Sequence, residues 1–234
     1  NILAPALMVF LLFAIVIFAY LIPDIEKSSL DKKRDLLRMT IQVAQNNLQQ
    51  FYEREKSSEL TRAEAQERAI SFFRAARFGE DMKDYYWIND LEVKMVVHPY
   101  RPDLNGKDLK DFTDPDGKHM FVDFVNIAKQ NGSGFSKYMW QWKDNPAKIV
   151  PKLSYVQLFE PWQWVIGTGI YIEDMRAEIR AVKDKLYLMF TAIAFVIILI
   201  TSILIYQTSL HNSKQFEYET ALLMSEERFR TIVE

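Results

Sequence analysis

The chain has 234 residues, of which 49% are hydrophobic and 26% are charged, and its formal net charge is −2. A charge balance this close to neutral gives no indication of the basic surface that a nucleic-acid-binding protein needs, so we predict no nucleic-acid partner. The absence of cysteine excludes disulfides and thiol catalysis.

The chain contains two long stretches without a charged side chain, residues 1–23 and residues 186–206. Each stretch is about 20 residues long, and a helix of that length crosses the ~30 Å hydrocarbon core of a bilayer. Since lipid offers the backbone no hydrogen-bond partners, we predict that residues 1–23 form transmembrane helix 1 and residues 186–206 form transmembrane helix 2. A cleaved signal peptide is the alternative for the first stretch, and a buried core helix is the alternative for the second.

The segment between the two predicted spans, residues 24–185, has the size of one domain with its own hydrophobic core. Its lysines and arginines balance its acidic residues. Basic residues lie next to both spans on this side, so the positive-inside rule does not decide on which side of the membrane the domain lies.

After Pro23, apolar residues recur with a heptad pattern, at Leu30, Leu37, Ile41, Ala44, Leu48 and Phe51. No glycine or proline interrupts residues 24–60, so the pattern predicts one long helix. The stripe can pack on the helix's own domain or on a second copy of the chain, and a helix can also carry one stripe for each. We predict a parallel homodimer through Leu37, Ile41, Ala44 and Leu48.

A capping-box pattern, Thr61-Arg62-Ala63-Glu64, predicts a second helix that ends near Gly79. The pattern then becomes typical of strands. We predict a hairpin of residues 85–88 and 93–97 around a turn at Asn89-Asp90, a loop region over residues 98–117, a short helix over residues 120–128, and strands over residues 134–142, 147–159 and 164–171. The expected fold class is α+β: an antiparallel sheet of about five strands with a long N-terminal helix, flanked by the two transmembrane helices.

The heptad pattern returns at the end of the last predicted strand, at Ile172, Met175, Ile179, Val182, Leu186 and Met189. No glycine or proline interrupts it, so we predict a single helix that runs from the sheet through the second span. Any shift of the domain would then move this rod. Residues 207–234 are predicted to be a polar linker helix and the start of a further domain.

Several short motifs resemble the single Cache sensor domain. They are Tyr85-Tyr86-Trp87-Ile88-Asn89-Asp90, His98-Pro99, Asn105-Gly106-Lys107, Pro151-Lys152-Leu153-Ser154-Tyr155-Val156 and Pro161-Trp162-Gln163-Trp164-Val165-Ile166-Gly167-Thr168-Gly169-Ile170-Tyr171. The resemblance covers roughly residues 24–180. It implies a PAS-like sheet behind the long N-terminal helix, in a periplasmic or other extracytoplasmic domain of a multi-pass protein of the bacterial cytoplasmic membrane. Many members bind small carboxylates such as acetate, propionate, lactate or pyruvate.

Cache domains occur on histidine kinases, chemoreceptors and cyclic-dinucleotide enzymes. Residues 225–234 resemble the first helix of a cytoplasmic PAS domain, and no HAMP-like linker follows Tyr206. This layout favours a sensor histidine kinase. The alternatives are the sensor part of a diguanylate cyclase or phosphodiesterase, a chemoreceptor, and a dimerisation module that has lost its ligand.

The sequence contains no arrangement typical of an enzyme or a metal site. It has no nucleophile elbow and no glycine-rich phosphate loop, so we predict no catalytic residues and no cofactor. The histidines His98, His119 and His211 lack the spacing of metal ligands, so we predict no metal.

A ligand site is predicted around Lys152, which lies within an otherwise apolar strand. A buried ammonium is costly unless it is paired, and a bound carboxylate would pair it. The alternatives are that Lys152 faces solvent or a fixed acid such as Asp123. His98 is predicted to donate to the carboxylate, or else to cap its loop, and Arg101 is an alternative cation. The remaining candidates are three hydroxyl donors, Tyr86, Tyr138 and Tyr155, and an aromatic wall, Trp140. Core packing is the alternative for each of them.

Overall fold

The computed structural model describes the backbone of residues 3–233 and the side chains of residues 8–225 other than 175, 176 and 178. The chain is divided by its internal contacts into two compact units. One consists of residues 24–179, and the other consists of residues 1–23 together with residues 180–234. The predicted PAS-like tail falls on residues 225–234, so most of its side chains lie outside this description.

The unit formed by the two ends of the chain is helical. Helix α1, Leu3–Val16, continues through a π-helical segment, Ile17–Leu21. The rest of this unit is the part of helix α5, Ile172–Val233, that follows residue 179. Within the unit, the Phe18 ring stacks on the Tyr187 ring with 4.6 Å between the ring centroids. Two helices, Met8–Lys56 and Ile172–Ser225, are long and apolar enough to cross a membrane.

The unit of residues 24–179 contains most of helix α2, Ile22–Lys56, whose apolar stripe packs inside the unit. Ile41, Ala44 and Leu48 are at most 1% exposed and belong to one buried cluster with the sheet residues Ile88 and Ile166. Leu37 is also buried. The stripe that we assigned to the homodimer is therefore used within one chain, because one apolar face of the sheet has to be covered.

Helix α3, Arg62–Ala75, begins at the predicted capping box. The Thr61 hydroxyl accepts a hydrogen bond from the Glu64 backbone N–H, and the Glu64 carboxylate accepts one from the Thr61 backbone N–H at 2.8 Å. The helix ends at Ala75, four residues before the predicted end at Gly79. Phe73 on this helix is fully buried in the same cluster as the α2 stripe.

Five antiparallel strands form one sheet in the order β2-β1-β5-β4-β3, which confirms the predicted α+β fold. The strands are β1 (Trp87–Asp90), β2 (Met95–Val97), β3 (Ser133–Trp142), β4 (Asn145–Phe159) and β5 (Trp164–Tyr171). Helix α4, Met120–Asn131, ends at Gly132 and leads into β3. Short 3₁₀ turns at Pro102–Leu104 and Glu160–Trp162 complete the unit.

The first hairpin differs from the prediction in its turn. We placed the turn at Asn89-Asp90, but both residues belong to β1 and pair with β5. The Asp90 carboxylate accepts hydrogen bonds from the backbone N–H groups of Glu92 and Lys94, so the chain reverses after Asp90. Val93 takes a positive φ of 64° within this turn.

The two faces of the sheet pack against different helices. One face shares a buried cluster with α2 and α3. The other face shares a cluster with α4, whose residues Met120, Phe121 and Phe124 are at most 2% exposed. The face under α4 contains the only lysine that the structure describes as fully buried, Lys152 of β4.

Candidate ligand-binding site

Lys152 is held in an aromatic cage on the α4 face of the sheet. It is 1% exposed, and its Nζ donates a hydrogen bond to the Tyr85 hydroxyl at 3.0 Å. The Nζ lies 4.2, 4.9 and 5.2 Å from the ring centroids of Tyr85, Tyr171 and Trp87. Aromatic faces attract a cation, but they do not neutralise its charge.

The cage supplies no carboxylate for this ammonium. Among the described residues, Lys152 forms no ion pair, and Asp123 pairs with Lys118 at 2.9 Å and accepts a hydrogen bond from Ser136 at 2.6 Å. Asp123 is therefore not the internal partner that we considered. Burial lowers the pKa of Lys152 to about 7, against the weaker opposing charge of Asp84. An anion bound here would restore the full charge of the lysine.

His98 is a buried neutral donor beside the same cage. Its Nδ1 accepts a hydrogen bond from the Arg101 backbone N–H at 3.0 Å, so the neutral ring carries its proton on Nε2. Burial and the Lys152 charge hold the pKa of His98 well below its usual range. Its ring centroid lies 5.0 Å from that of Tyr85 and 5.5 Å from that of Trp140.

Two of the predicted aromatic residues lie in this cluster. The Tyr138 and Ser154 hydroxyls are 2.9 Å apart, and burial raises the pKa of the Tyr138 phenol far above its ordinary value. The Trp140 indole N–H donates to the Tyr85 hydroxyl at 3.0 Å. The Tyr85 oxygen thus accepts from both Lys152 and Trp140, and the cluster has more donors than acceptors.

Two glycines of β5 form the floor of the site. A Cβ at Gly167 would lie 2.3 Å from the Trp87 ring, and a Cβ at Gly169 would lie 2.2 Å from the Ser154 Oγ and 2.9 Å from the Lys152 Cε. Only glycine lets these side chains lie flat across the central strand.

The structure does not bring Tyr86 and Tyr155 to the site. Both lie on the opposite face of the sheet, where the Tyr86 hydroxyl bonds the Thr40 carbonyl at 3.4 Å and the Tyr155 hydroxyl bonds Ser133 at 2.8 Å. Successive residues of a strand point to opposite faces, so Tyr85 takes the place in which we expected Tyr86.

Arg101 lies at the edge of the cluster rather than inside it. Its guanidinium forms two 2.8 Å hydrogen bonds with Asp103 and lies 5.9 Å from the Trp140 ring. It lines an open cleft of about 150 Å³ together with Phe112 and Trp140. Since Arg101 already has a counter-ion, Lys152 is the better anion-binding cation.

Sequence reasoning missed six residues of the candidate site: Tyr85, Trp87, Ser154, Gly167, Gly169 and Tyr171. Ser154 follows Lys152 by two residues on β4, so strand alternation would have placed both on one face, and the cross-strand register pairs Lys152 with both Tyr138 and Tyr171. Across the described part of the chain, no group of three His, Cys, Asp or Glu residues could hold a metal ion.

Comparisons with known proteins point to one family. A family model described as a Cache domain, dCache_2, matches residues 16–196, which is more than half of the chain. The methyl-accepting chemotaxis protein McpP of Pseudomonas putida is 40% identical over 153 residues, which cover 65% of this chain and 28% of that protein. The sensor histidine kinase MctS of Rhizobium johnstonii is 30% identical over 150 residues, which cover 64% of this chain and 31% of that protein.

A solved structure is also similar to this chain. It is described as "Structural basis for carboxylic acid recognition by a Cache chemosensory domain", with 34% sequence identity and a TM-score of 0.56, and the match covers 64% of this chain and 97% of that one. The chain spans less than a third of the length of either curated relative.

Proposed function

The chain belongs to the Cache domain family, and on that premise we propose that it is the sensory part of a bacterial transmembrane receptor that binds a small organic carboxylate. The observation that carries the proposal is the buried Lys152 ammonium, which has donors around it and forms no ion pair among the residues that the structure describes. A carboxylate accepts several hydrogen bonds and brings the missing negative charge.

The donor set favours a small monoanion. Lys152, the His98 Nε2–H and the Tyr85 and Tyr138 hydroxyls can all donate, and the buried rings of α4 leave little room beside them. Acetate, propionate, lactate and pyruvate have this size and charge. A related Cache domain, 34% identical, is described as recognising carboxylic acids, which supports this ligand class.

The output of the whole receptor is proposed from its layout. Helices Met8–Lys56 and Ile172–Ser225 are proposed to cross the bacterial cytoplasmic membrane, with residues 24–185 outside the cytoplasm. A histidine kinase remains our first proposal for the cytoplasmic part, and MctS is such a relative. A chemoreceptor is the second, because McpP is 40% identical over the matched residues.

A thermal-shift screen of the chain against small acids tests the ligand proposal. An acid at about 100 times its dissociation constant should stabilise the protein by about 2.7 kcal/mol. Acetate, propionate, lactate and pyruvate are the first compounds to test. Butylamine is the cationic control, and glycerol is the uncharged control. If no acid raises the melting temperature, the dimerisation module without a ligand becomes the better reading.

Acid binding is expected to depend on pH through Lys152. Because its pKa is about 7 without ligand, a carboxylate binds the protonated fraction and binding takes up a proton. Affinity should change little between about pH 5 and about pH 6 and should fall about tenfold between about pH 6 and about pH 8. Calorimetry in two buffers of different ionisation enthalpy measures the proton uptake. An affinity that does not change over this range contradicts the assignment.

We also propose that the receptor is a parallel homodimer, through a different stripe of α2 from the one first predicted. Leu36, Met39 and Val43 are 52%, 67% and 56% exposed, although all three are apolar. Their spacing of three and four residues is that of a helix–helix seam. A second copy of this chain, held beside it in the membrane, would cover the stripe.

Cysteines placed on this stripe are expected to crosslink between chains. Met39→Cys and Val43→Cys should form disulfide dimers in membranes under mild oxidation, because parallel seams bring equivalent residues together. Gln42→Cys and Gln49→Cys, at exposed positions of α2 beside the stripe, are the controls and should crosslink less. Equal crosslinking at all four positions would show that this stripe is not the dimer interface.

A further inference from the structure

The hairpin tip between β3 and β4, residues 141–148, contacts the first turn of helix α5. The Trp142 indole N–H donates a hydrogen bond to the Asp174 carboxylate at 3.3 Å, and the Lys148 ammonium lies 3.2 Å from the Glu173 carboxylate. The Lys148 ammonium also lies 4.8 Å from the centroid of the Trp142 ring. The two acidic residues of the first turn of α5 are therefore both held by the hairpin tip.

The same hairpin tip is bonded to Tyr171, a residue of the Lys152 cage. The Tyr171 hydroxyl accepts a hydrogen bond from the Lys143 backbone N–H at 2.8 Å and donates one to the Gln141 carbonyl at 3.1 Å. The Tyr171 ring centroid lies 4.9 Å from the Lys152 Nζ. Tyr171 thus has its ring in the candidate ligand site and its hydroxyl on the hairpin tip, and it is the last residue before α5.

The hairpin tip is also fixed to the segment that leads into Tyr85 of the cage. The Lys143 ammonium pairs with the Asp81 carboxylate, and the Lys83 ammonium pairs with the Asp144 carboxylate at 2.7 Å. Lys143 has a φ of 50°, in the left-handed region that a lysine seldom adopts. A residue in such a conformation persists only where its surroundings hold it there. The tip is therefore held in one conformation from both sides of the cage.

We propose that Tyr171 and the hairpin tip transmit occupancy of the Lys152 site to the first turn of α5. The inference rests on the proposed carboxylate site. Lys152 is 1% exposed, so an acid can reach its ammonium only if a ring of the cage moves. Movement of the Tyr171 ring changes its two hydrogen bonds to the hairpin tip, and the tip is bonded to α5 in turn. The signal then has a side-chain route to α5 besides the backbone of β5.

Amide hydrogen exchange of the 234-residue chain in lipid nanodiscs measures this coupling. In the parent, the acid that stabilises it most should change the exchange rates of residues 173–179 about fivefold or more, the lower end of typical coupling between two sites. Lys148→Glu places a third carboxylate beside Glu173 and Asp174, so the tip should release the turn. Most of the acid-dependent change should then disappear, while calorimetry should still detect binding of the acid.

Two further variants separate the contact from a general effect of charge. Adding Glu173→Lys to Lys148→Glu restores an ion pair of reversed polarity and should restore most of the response. Lys137→Glu makes the same charge change at an exposed position of β3 and should respond like the parent. If Lys148→Glu responds to acid like the parent, β5 alone carries the signal and the inference is overturned. A parent that binds no acid refutes the proposed function, and the inference with it.

The Trp142 indole gives a second readout that needs no change at the ion pair. In chain labelled with ¹⁵N-tryptophan, Trp142→Phe identifies the Trp142 indole resonance by its loss. Since this N–H donates to Asp174 on α5, bound acid should shift its resonance in the parent, and the shift should shrink in Lys148→Glu. A Trp142 resonance that bound acid leaves unmoved contradicts the inference, because the hairpin tip would then take no part in the response.

Discussion

Replacing Lys152 with methionine is expected to weaken carboxylate binding about 10- to 100-fold, because a hydrogen bond to a charged group contributes roughly 1.5 to 3 kcal/mol. Methionine keeps the apolar stem against the rings of Tyr85 and Trp87 and deletes only the charge. The pH dependence of binding should disappear with it. Calorimetry with the acid that stabilises the parent most is the measurement.

The same substitution should stabilise the protein without ligand. The pKa of Lys152 is lowered from its ordinary value to about 7 by folding, so the parent gains stability as the pH rises from about 7 towards that ordinary value. Below about pH 7 the lysine is charged in both states, and the folded protein carries the full cost of the buried charge. Lys152→Met should remove that dependence and melt higher than the parent near pH 6. Lys137→Met, an exposed lysine on β3, is the control. If Lys152→Met binds the acid as tightly as the parent, the anion-binding cation is another residue, and Arg101 is the next one to replace.

A Gly-Gly insertion after Lys183 is expected to abolish signalling by the full-length receptor and to leave acid binding intact. Helix α5 runs from Ile172 to Val233, and its sequence contains neither glycine nor proline. We propose that ligand binding shifts or rotates this helix within the dimer. Two glycines make a flexible joint in a helix, since each is about 1 kcal/mol less favourable there than alanine.

An Ala-Ala insertion at the same place is the matched control for this experiment. It adds the same length but keeps the helix continuous, and it turns the lower part by about 200°. Signalling by a movement along the helix axis would survive this change in orientation, whereas signalling by rotation of the helix would not. Measuring output in cells and binding in nanodiscs separates coupling from recognition. Normal output from the Gly-Gly variant would contradict a rigid helical connection.

The fold could be predicted largely because its local signals agree with its packing. The capping box at Thr61 and the last strand, Trp164–Tyr171, are where the sequence placed them. The first turn was misplaced because Asn and Asp usually mark turns, whereas here the Asp90 side chain bonds the residues that follow it. The α2 stripe was visible, but no heptad pattern says which partner it faces.

The candidate site could be predicted only in part. A sequence shows that successive residues of a strand alternate between the two faces of the sheet, but it does not show which residues lie on which face. Lys152 was proposed from the cost of burying a charge, and the structure shows that its side chain is buried. Tyr155 should have been set aside, since it alternates with Lys152 on the same strand and so faces the other way. Choosing Tyr86 instead of Tyr85 was a one-residue error of the same kind. The role of Gly169 depends on side chains of the neighbouring strand, which no local pattern contains.

The position of β5 in the sheet restricts how the domain can act on the helix that follows it. Strand β5 is hydrogen-bonded on both sides, to β1 and to β4, and its last residue is followed directly by α5. A central strand cannot slip along its neighbours without breaking two ladders at once. We therefore expect a displacement of α5 by the domain to involve the whole sheet rather than β5 alone. In amide hydrogen exchange, the protons of β5 should exchange among the slowest with and without acid, and the edge strand β2 should exchange sooner.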